Sequence, residues 1–169
     1  MDAFLLVLKR INSCLLGIAG WIMVFGMAMI SIVIPYEVFG RYFLGSAPHW
    51  SGELTVFALV WVSMLGAAVG LPQGYLIGMT FFVDRLPQKG RRMMRVLGTL
   101  ITLSILSVLV VYGVDQTIVN LGQTSAALQI SMAIPYLSVP AGAFLMWLIT
   151  LEQALGVITG LDKIPKVME

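Results

Sequence analysis

The chain has little of what chemistry usually needs: one cysteine, one histidine, and charged residues at only 11% of its 169 positions. A lone Cys14 excludes an internal disulfide, and its place in an apolar run fits a small packing residue. His49, the single histidine, argues against a metal centre, because such sites draw on several His, Cys or carboxylate ligands at suitable spacing. No nucleophile motif, phosphate-cradling glycine loop or metal-ligand cluster occurs, so an enzyme is not expected and the chain calls for no cofactor of its own. The net charge of +2 comes from short flanks. It favours contact with anionic lipid and gives no reason to invoke nucleic acid as a partner.

Apolar residues fill the rest, at 59% of the chain. No charged side chain occurs between Arg10 and Glu37, Glu53 and Asp84, Arg95 and Asp115, or Asp115 and Glu152. A hydrocarbon core of roughly 30 Å takes about 20 helical residues to cross, and each gap supplies them to within a residue or so. Open strands would leave backbone groups unsatisfied in lipid, and the ten-residue alternation of a membrane barrel is missing. The expected fold is an all-α membrane protein, with four transmembrane helices over about 11–34, 51–71, 93–114 and 133–155. Too little polar material remains for a soluble domain, so residues 1–169 read as a single four-helix transmembrane domain. The first run is too long for a signal-peptide core and no small-x-small cleavage site follows, so it reads as a retained span.

The basic residues orient the spans. Lys9, Arg10, Arg85, Lys89, Arg91, Arg92, Arg95, Lys163 and Lys166 fall on one side and Arg41 alone on the other, which places both termini in the cytoplasm. Residues 1–10 read as a short amphipathic lead at the cytoplasmic surface, and the Phe- and Leu-rich stretch Leu76–Val83 as a short interfacial amphipathic helix between spans two and three. Arg91, Arg92 and Arg95 are the basic residues expected to face cytoplasmic lipid headgroups. Pro35 predicts a kink or end in the first helix. If that helix continues, Arg41 lies about 46 Å from Arg10 and reaches the opposite headgroup layer. Ser51 is the expected cap of the second helix, with Glu53 in its first turn.

The spans carry no obvious ionisable group near their middles, which argues against an autonomous transporter, although sodium sites built from carbonyls and hydroxyls need few charges. Polar interest concentrates at the outer end, in Glu37, Arg41, His49 and Glu53. Glu37 and Arg41 stand i to i+4 with the acid first, the better order for an ion pair, and the turn can bring Glu53 towards Arg41 as well. Two readings stand side by side: a headgroup-level salt bridge that fixes the first hairpin, or a docking point for another subunit. His49 reads as an interfacial residue beside Trp50. Gly66 and Gly70 form a GxxxG pattern, widened by Ser63 and Ala67 into a small-residue face for close helix packing, within this bundle or against a partner. Trp21 and Trp61 sit deeper than an aromatic belt and fit either a protein-facing surface or lipid.

These residues carry a resemblance. The runs Glu37-Val-Phe-Gly-Arg41-Tyr, Trp50-Ser-Gly-Glu53-Leu, Trp61-Val-Ser-Met-Leu-Gly66-Ala-Ala and Val83-Asp84-Arg85-Leu-Pro87 are followed by Ile134-Pro135-Tyr-Leu, Val139-Pro140-Ala-Gly142 and Leu145-Met. Their order and spacing over about residues 10–155 resemble the small, DctQ-like membrane subunit of tripartite ATP-independent periplasmic (TRAP) transporters. The resemblance implies a multi-pass protein of the bacterial inner membrane that scaffolds a large multi-spanning permease subunit. A periplasmic substrate-binding protein would deliver an organic acid to that large subunit, which would hold the sodium ions. By position Arg41 and Glu53 match the family's recurring Arg and Glu at the outer end of the first hairpin, which implies structural or docking roles for them; Glu37 and Trp50 beside them are expected to share those roles. Many members carry a histidine about eight residues before the Asp of the amphipathic segment; Leu76 stands there in this chain, so no role of that histidine carries over. Two other readings compete: a self-assembling four-span carrier or channel, and an accessory subunit of an unrelated membrane complex.

Overall fold

A computed structural model describes residues 2–43, 45–46, 48–74 and 88–159. Four helices account for most of these residues: α1 (Asp2–Phe43), α2 (His49–Gly74), α3 (Gln88–Val119) and α4 (Ala133–Thr159). All four contain stretches long and apolar enough to cross a membrane, at Val7–Phe43, His49–Pro72, Val96–Val119 and Ala133–Leu155. The interfacial helix expected at Leu76–Val83 lies outside the described residues.

Several boundaries differ from expectation, each for a local reason. The lead before Arg10 is no separate element, because α1 runs unbroken from Asp2 through Pro35 to Phe43. Proline removes one backbone donor, and here the helix tolerates that loss. At about 1.5 Å per residue, 42 residues make a rod of about 63 Å, twice the hydrocarbon thickness. Gly45, with φ +68°, turns the chain where a side chain would be strained, and the Ser46 N–H donates to the Gly40 carbonyl at 3.3 Å. The second helix begins at His49, so Ser51 lies inside its first turn and donates its hydroxyl to the Pro48 carbonyl at 2.8 Å; it is not the cap. Glu53 therefore falls beyond the first turn. Asp115, expected to bound the third span, sits within α3 four residues before its end.

Glycines and prolines set the packing. A Cβ on Gly26 would come within 2.7 Å of Val62, so α1 lies tight against α2 there. The Gly142 Cα rests on the Met64 backbone, where a Cβ would meet the carbonyl oxygen at 3.1 Å, and Gly113 rests on Pro140, where it would meet the ring at 2.9 Å. These contacts order the helices α1, α2, α4, α3. Helix α4 touches all three others, whereas α3 has α4 as its main neighbour. Burial agrees: 39% of the most apolar stretch of α4 is buried, against 11% for those of α1 and α3. The outward surface is apolar, with Trp21, Phe25, Ile32 and Tyr42 each at least 70% exposed. Such a surface suits lipid or another membrane subunit rather than water.

Candidate functional site

The connection between α3 and α4 is the most structured part of the molecule outside the helices. Asn120 ends α3 by donating both its N–H (3.2 Å) and its side-chain amide (2.7 Å) to the Gln116 carbonyl. The chain then doubles back through an antiparallel bridge between Thr124 and Ser131. Ser125 N–H donates to Ile130 O and Met132 N–H to Gln123 O, both at 2.8 Å. The tip closes with Gln129 at φ +54°, a left-handed conformation uncommon outside glycine, and the Gln129 side-chain amide donates to the Ala126 carbonyl at 2.9 Å. A turn of this kind leaves backbone N–H groups at its tip without partners in the hairpin. Glu53 of α2 supplies the acceptors: Oε1 takes the Ala127 N–H and Oε2 the Leu128 N–H, each at 3.0 Å. One carboxylate thus ties the α3–α4 loop to α2.

Glu37 and Arg41 behave differently. Arg41 Nη2 donates to Glu37 Oε1 at 2.9 Å, an i,i+4 pair with 64% of the arginine side chain exposed. Glu53 does not join it, because both of its oxygens are committed to the loop. The expected approach of Glu53 to Arg41 is therefore replaced by a contact spanning about 75 residues of sequence. Trp50 stacks on Tyr36 of α1, with centroids 6.5 Å apart and planes at 24°, and so bridges the first hairpin beside the ion pair. His49 is exposed at the start of α2.

The remaining candidates scatter. Gly66 faces Met23 of α1, whose sulfur would lie 3.3 Å from an added Cβ, while Gly70 has nothing within 4 Å. The two halves of the GxxxG pattern thus meet different surroundings. The closest helix crossings use Gly26, Gly113 and Gly142 instead. Arg91, Arg92 and Arg95 lie near the start of α3, at the end of the bundle opposite Glu53; their side chains are outside the described set.

Sequence reasoning missed several polar contacts between helices, among them two near opposite ends of the bundle. Trp61 donates its indole N–H to the Ile134 carbonyl at 3.1 Å, which joins α2 to the first turn of α4. At the other end Asn12, 3% exposed, donates to Glu152 at 2.6 Å and to the Leu148 carbonyl at 3.3 Å, which joins α1 to α4. The signal for the second was an asparagine inside an apolar run, where a polar group must find a partner. The indole bond and the loop amides left no mark of that kind.

A family comparison covers most of this framework. The sequence model described as "Tripartite ATP-independent periplasmic transporters, DctQ component" matches residues 29–160. The chain belongs to that family. As a DctQ component it is part of a transporter and not an enzyme, and it is a multi-pass membrane protein. Glu37, Arg41, Glu53 and the whole α3–α4 loop fall within the matched part, whereas Asn12 precedes it. Individual relatives agree. The chain is 27% identical over 157 residues to the isethionate TRAP transporter permease protein DctMQ of Oleidesulfovibrio alaskensis, covering 83% of this chain and 25% of that protein. It is 28% identical to the C4-dicarboxylate TRAP transporter small permease protein DctQ of Rhodobacter capsulatus, covering 63% of this chain and 48% of that one. With the ectoine TRAP transporter small permease protein TeaB of Halomonas elongata it shares 24% identity, covering 92% and 82%. The DctQ-like chain thus spans a quarter of the first relative and about half of the second.

Proposed function

We propose that this chain is the small permease subunit of a TRAP transporter in a bacterial inner membrane, where it scaffolds a large, sodium-coupled permease subunit. That partner imports an organic acid delivered by a periplasmic binding protein. The observation that carries the reading is the family match over residues 29–160 on a bundle in which Trp61 and Glu53, among the described residues, spend their polar groups on joining its own elements. The groove between α1 and α2, of about 420 Å³, is apolar and lined by Met23, Val24, Met27, Ala28, Ser31 and Val62, and the Ser31 hydroxyl is spent on the Met27 carbonyl. An ionic solute finds no ligands there. The relative named DctMQ supports a large partner, because the matched part makes up only 25% of its length. The relatives are named for different solutes, as expected of a subunit that does not hold the solute.

Both termini face the cytoplasm in this reading, since nine of the ten Lys and Arg lie on that side. Arg91, Arg92 and Arg95 then meet anionic headgroups. Glu37, Arg41 and Trp50 stand at the periplasmic end, where the binding protein and the large subunit approach, and Glu53 shapes that end by holding the loop. Tagged purification from native membranes in mild detergent tests the proposal. An equimolar large polytopic permease is the expected companion; recovery of the chain alone as a defined oligomer would overturn it in favour of a self-assembled carrier or channel.

A further inference from the structure

Helix α1 is held to the bundle unevenly along its length. From Ala19 onwards its packed side is apolar, with Ala19, Ile30 and Val33 buried and Gly26 tight against Val62 of α2. Nearer the start that apolar contact thins out. Between Val7 and Ile18 a single residue is buried, and it is the polar Asn12, while Leu8, Leu15 and Leu16 are only half-buried. The one buried hold of this segment is therefore the Asn12 amide, bonded to Glu152 and to the Leu148 carbonyl of α4.

That hold is only half satisfied. Asn12 Nδ2 serves two acceptors, whereas Asn12 Oδ1 is buried with no donor among the described residues. A hydrogen bond to a charged group is among the stronger ones, but a buried acceptor left without a donor costs about as much as such a bond returns. The two nearly offset, so a small difference keeps the helices together here. Between this contact and the apolar packing lie Gly17 and Gly20. A Cβ on either would meet nothing within 4 Å, so no neighbour requires a glycine there. Glycine weakens a helix interior relative to alanine and is one of the places where helices bend.

We propose that residues 2–16 of α1 form a hinged arm, with Gly17 and Gly20 as its hinge and Asn12 with Glu152 as a clasp that closes it on α4. Opening gives Asn12 Oδ1 the donors it lacks and uncovers the Glu152 carboxylate with it. The arm thus governs whether these two groups are available at the surface of the bundle. A few element-terminal residues that absorb the bend, and a contact whose gain and cost lie close together, are what a two-state device of this kind requires. The inference stands apart from the scaffold reading, because every contact in it lies within this chain and the arm precedes the matched residues 29–160.

The test is double electron-electron resonance on the full chain in lipid nanodiscs, with spin labels on V7C and L97C, both exposed positions, and C14S to remove the exposed native thiol. With the clasp intact, one main distance is expected, the open arm making up at most about a tenth. Glu152→Ala removes the charged acceptor but leaves Oδ1 unmet, and should raise the open-to-closed ratio about tenfold, seen as a second, longer distance. Asn12→Leu removes the bond and the unmet acceptor together and should stay closed. Adding G17A and G20A to E152A should restore the closed distance, because the hinge stiffens while the clasp stays broken. A control pair on L59C and L97C, which leaves the arm out, should not change in any variant. An unchanged single distance in E152A overturns the inference, as does a change in the control pair, which would mean that the whole bundle has moved. Opening of Asn12→Leu to the same extent as E152A would reduce the clasp to a plain tie, and an E152A distribution indifferent to G17A and G20A would remove the hinge; either result also overturns it.

Discussion

Glu37 and Glu53 stand at the same end of the bundle and are held in opposite ways. Glu37 meets Arg41 one turn further along its own helix, with most of the arginine in the open. Glu53 reaches across to two backbone amides that arrive from residues 127 and 128, after the rest of α2 and the whole of α3. An exposed i,i+4 pair contributes little to a fold, because both side chains lose freedom and solvent competes for the charges. A carboxylate that takes up two otherwise unpaired amides fixes the position of a loop, since losing it leaves donors without acceptors. The lesson is that the more conspicuous pair in the sequence is the weaker one in the structure.

Substitutions can break or sharpen this contrast. Glu53→Ala should have the largest effect: amide exchange at Ala127 and Leu128 accelerates by about tenfold or more, read by deuterium uptake of peptides covering 124–131. Glu53→Gln should fall between, because its one carbonyl oxygen can serve only one of the two sites well. Deeper on the same α2–α4 contact, Gly142→Val should destabilise by about 1–3 kcal/mol, since the new side chain meets the Met64 backbone. Gly70→Val, facing open space, should leave the thermal midpoint unchanged and serves as its control. Trp61→Phe removes the indole bond to the Ile134 carbonyl and should cost about 1 kcal/mol in thermal unfolding. Smallest is Arg41→Ala, at about a few tenths of a kcal/mol given its exposure. A fall in complex yield with Arg41→Ala at unchanged stability would assign Arg41 to docking, and a stability loss equal to that of Glu53→Ala would erase the contrast.

Much of the architecture was legible beforehand. The uncharged runs located four helices, and the span expected at 133–155 coincides with the apolar stretch Ala133–Leu155. Helix ends were less legible, because polar residues continue a membrane helix beyond its apolar core without penalty. Thus α3 starts at Gln88 rather than 93 and passes Asp115 to reach Val119. Of the candidate site, the Glu37–Arg41 pair followed from spacing alone. The partners of Glu53 could not be read, because backbone amides carry no sequence signature and any residue can stand at positions 127 and 128. The GxxxG pattern is used only in part within the bundle, Gly66 against Met23 of α1, because small residues permit close approach but do not say which neighbour arrives; the tightest crossings formed at Gly26, Gly113 and Gly142.

By itself the sequence determined the solvent, the number of spans and the local pairing on α1, because hydrophobic length and helical period are properties of contiguous residues. Tertiary structure decided the rest. It placed α4 between α2 and α3, gave Glu53 a loop to hold, and brought Asn12 to Glu152. Those outcomes depend on which helix faces meet, and in a chain this uniformly apolar the choice is made by shape complementarity at a few glycines and prolines and by where buried polar groups find partners.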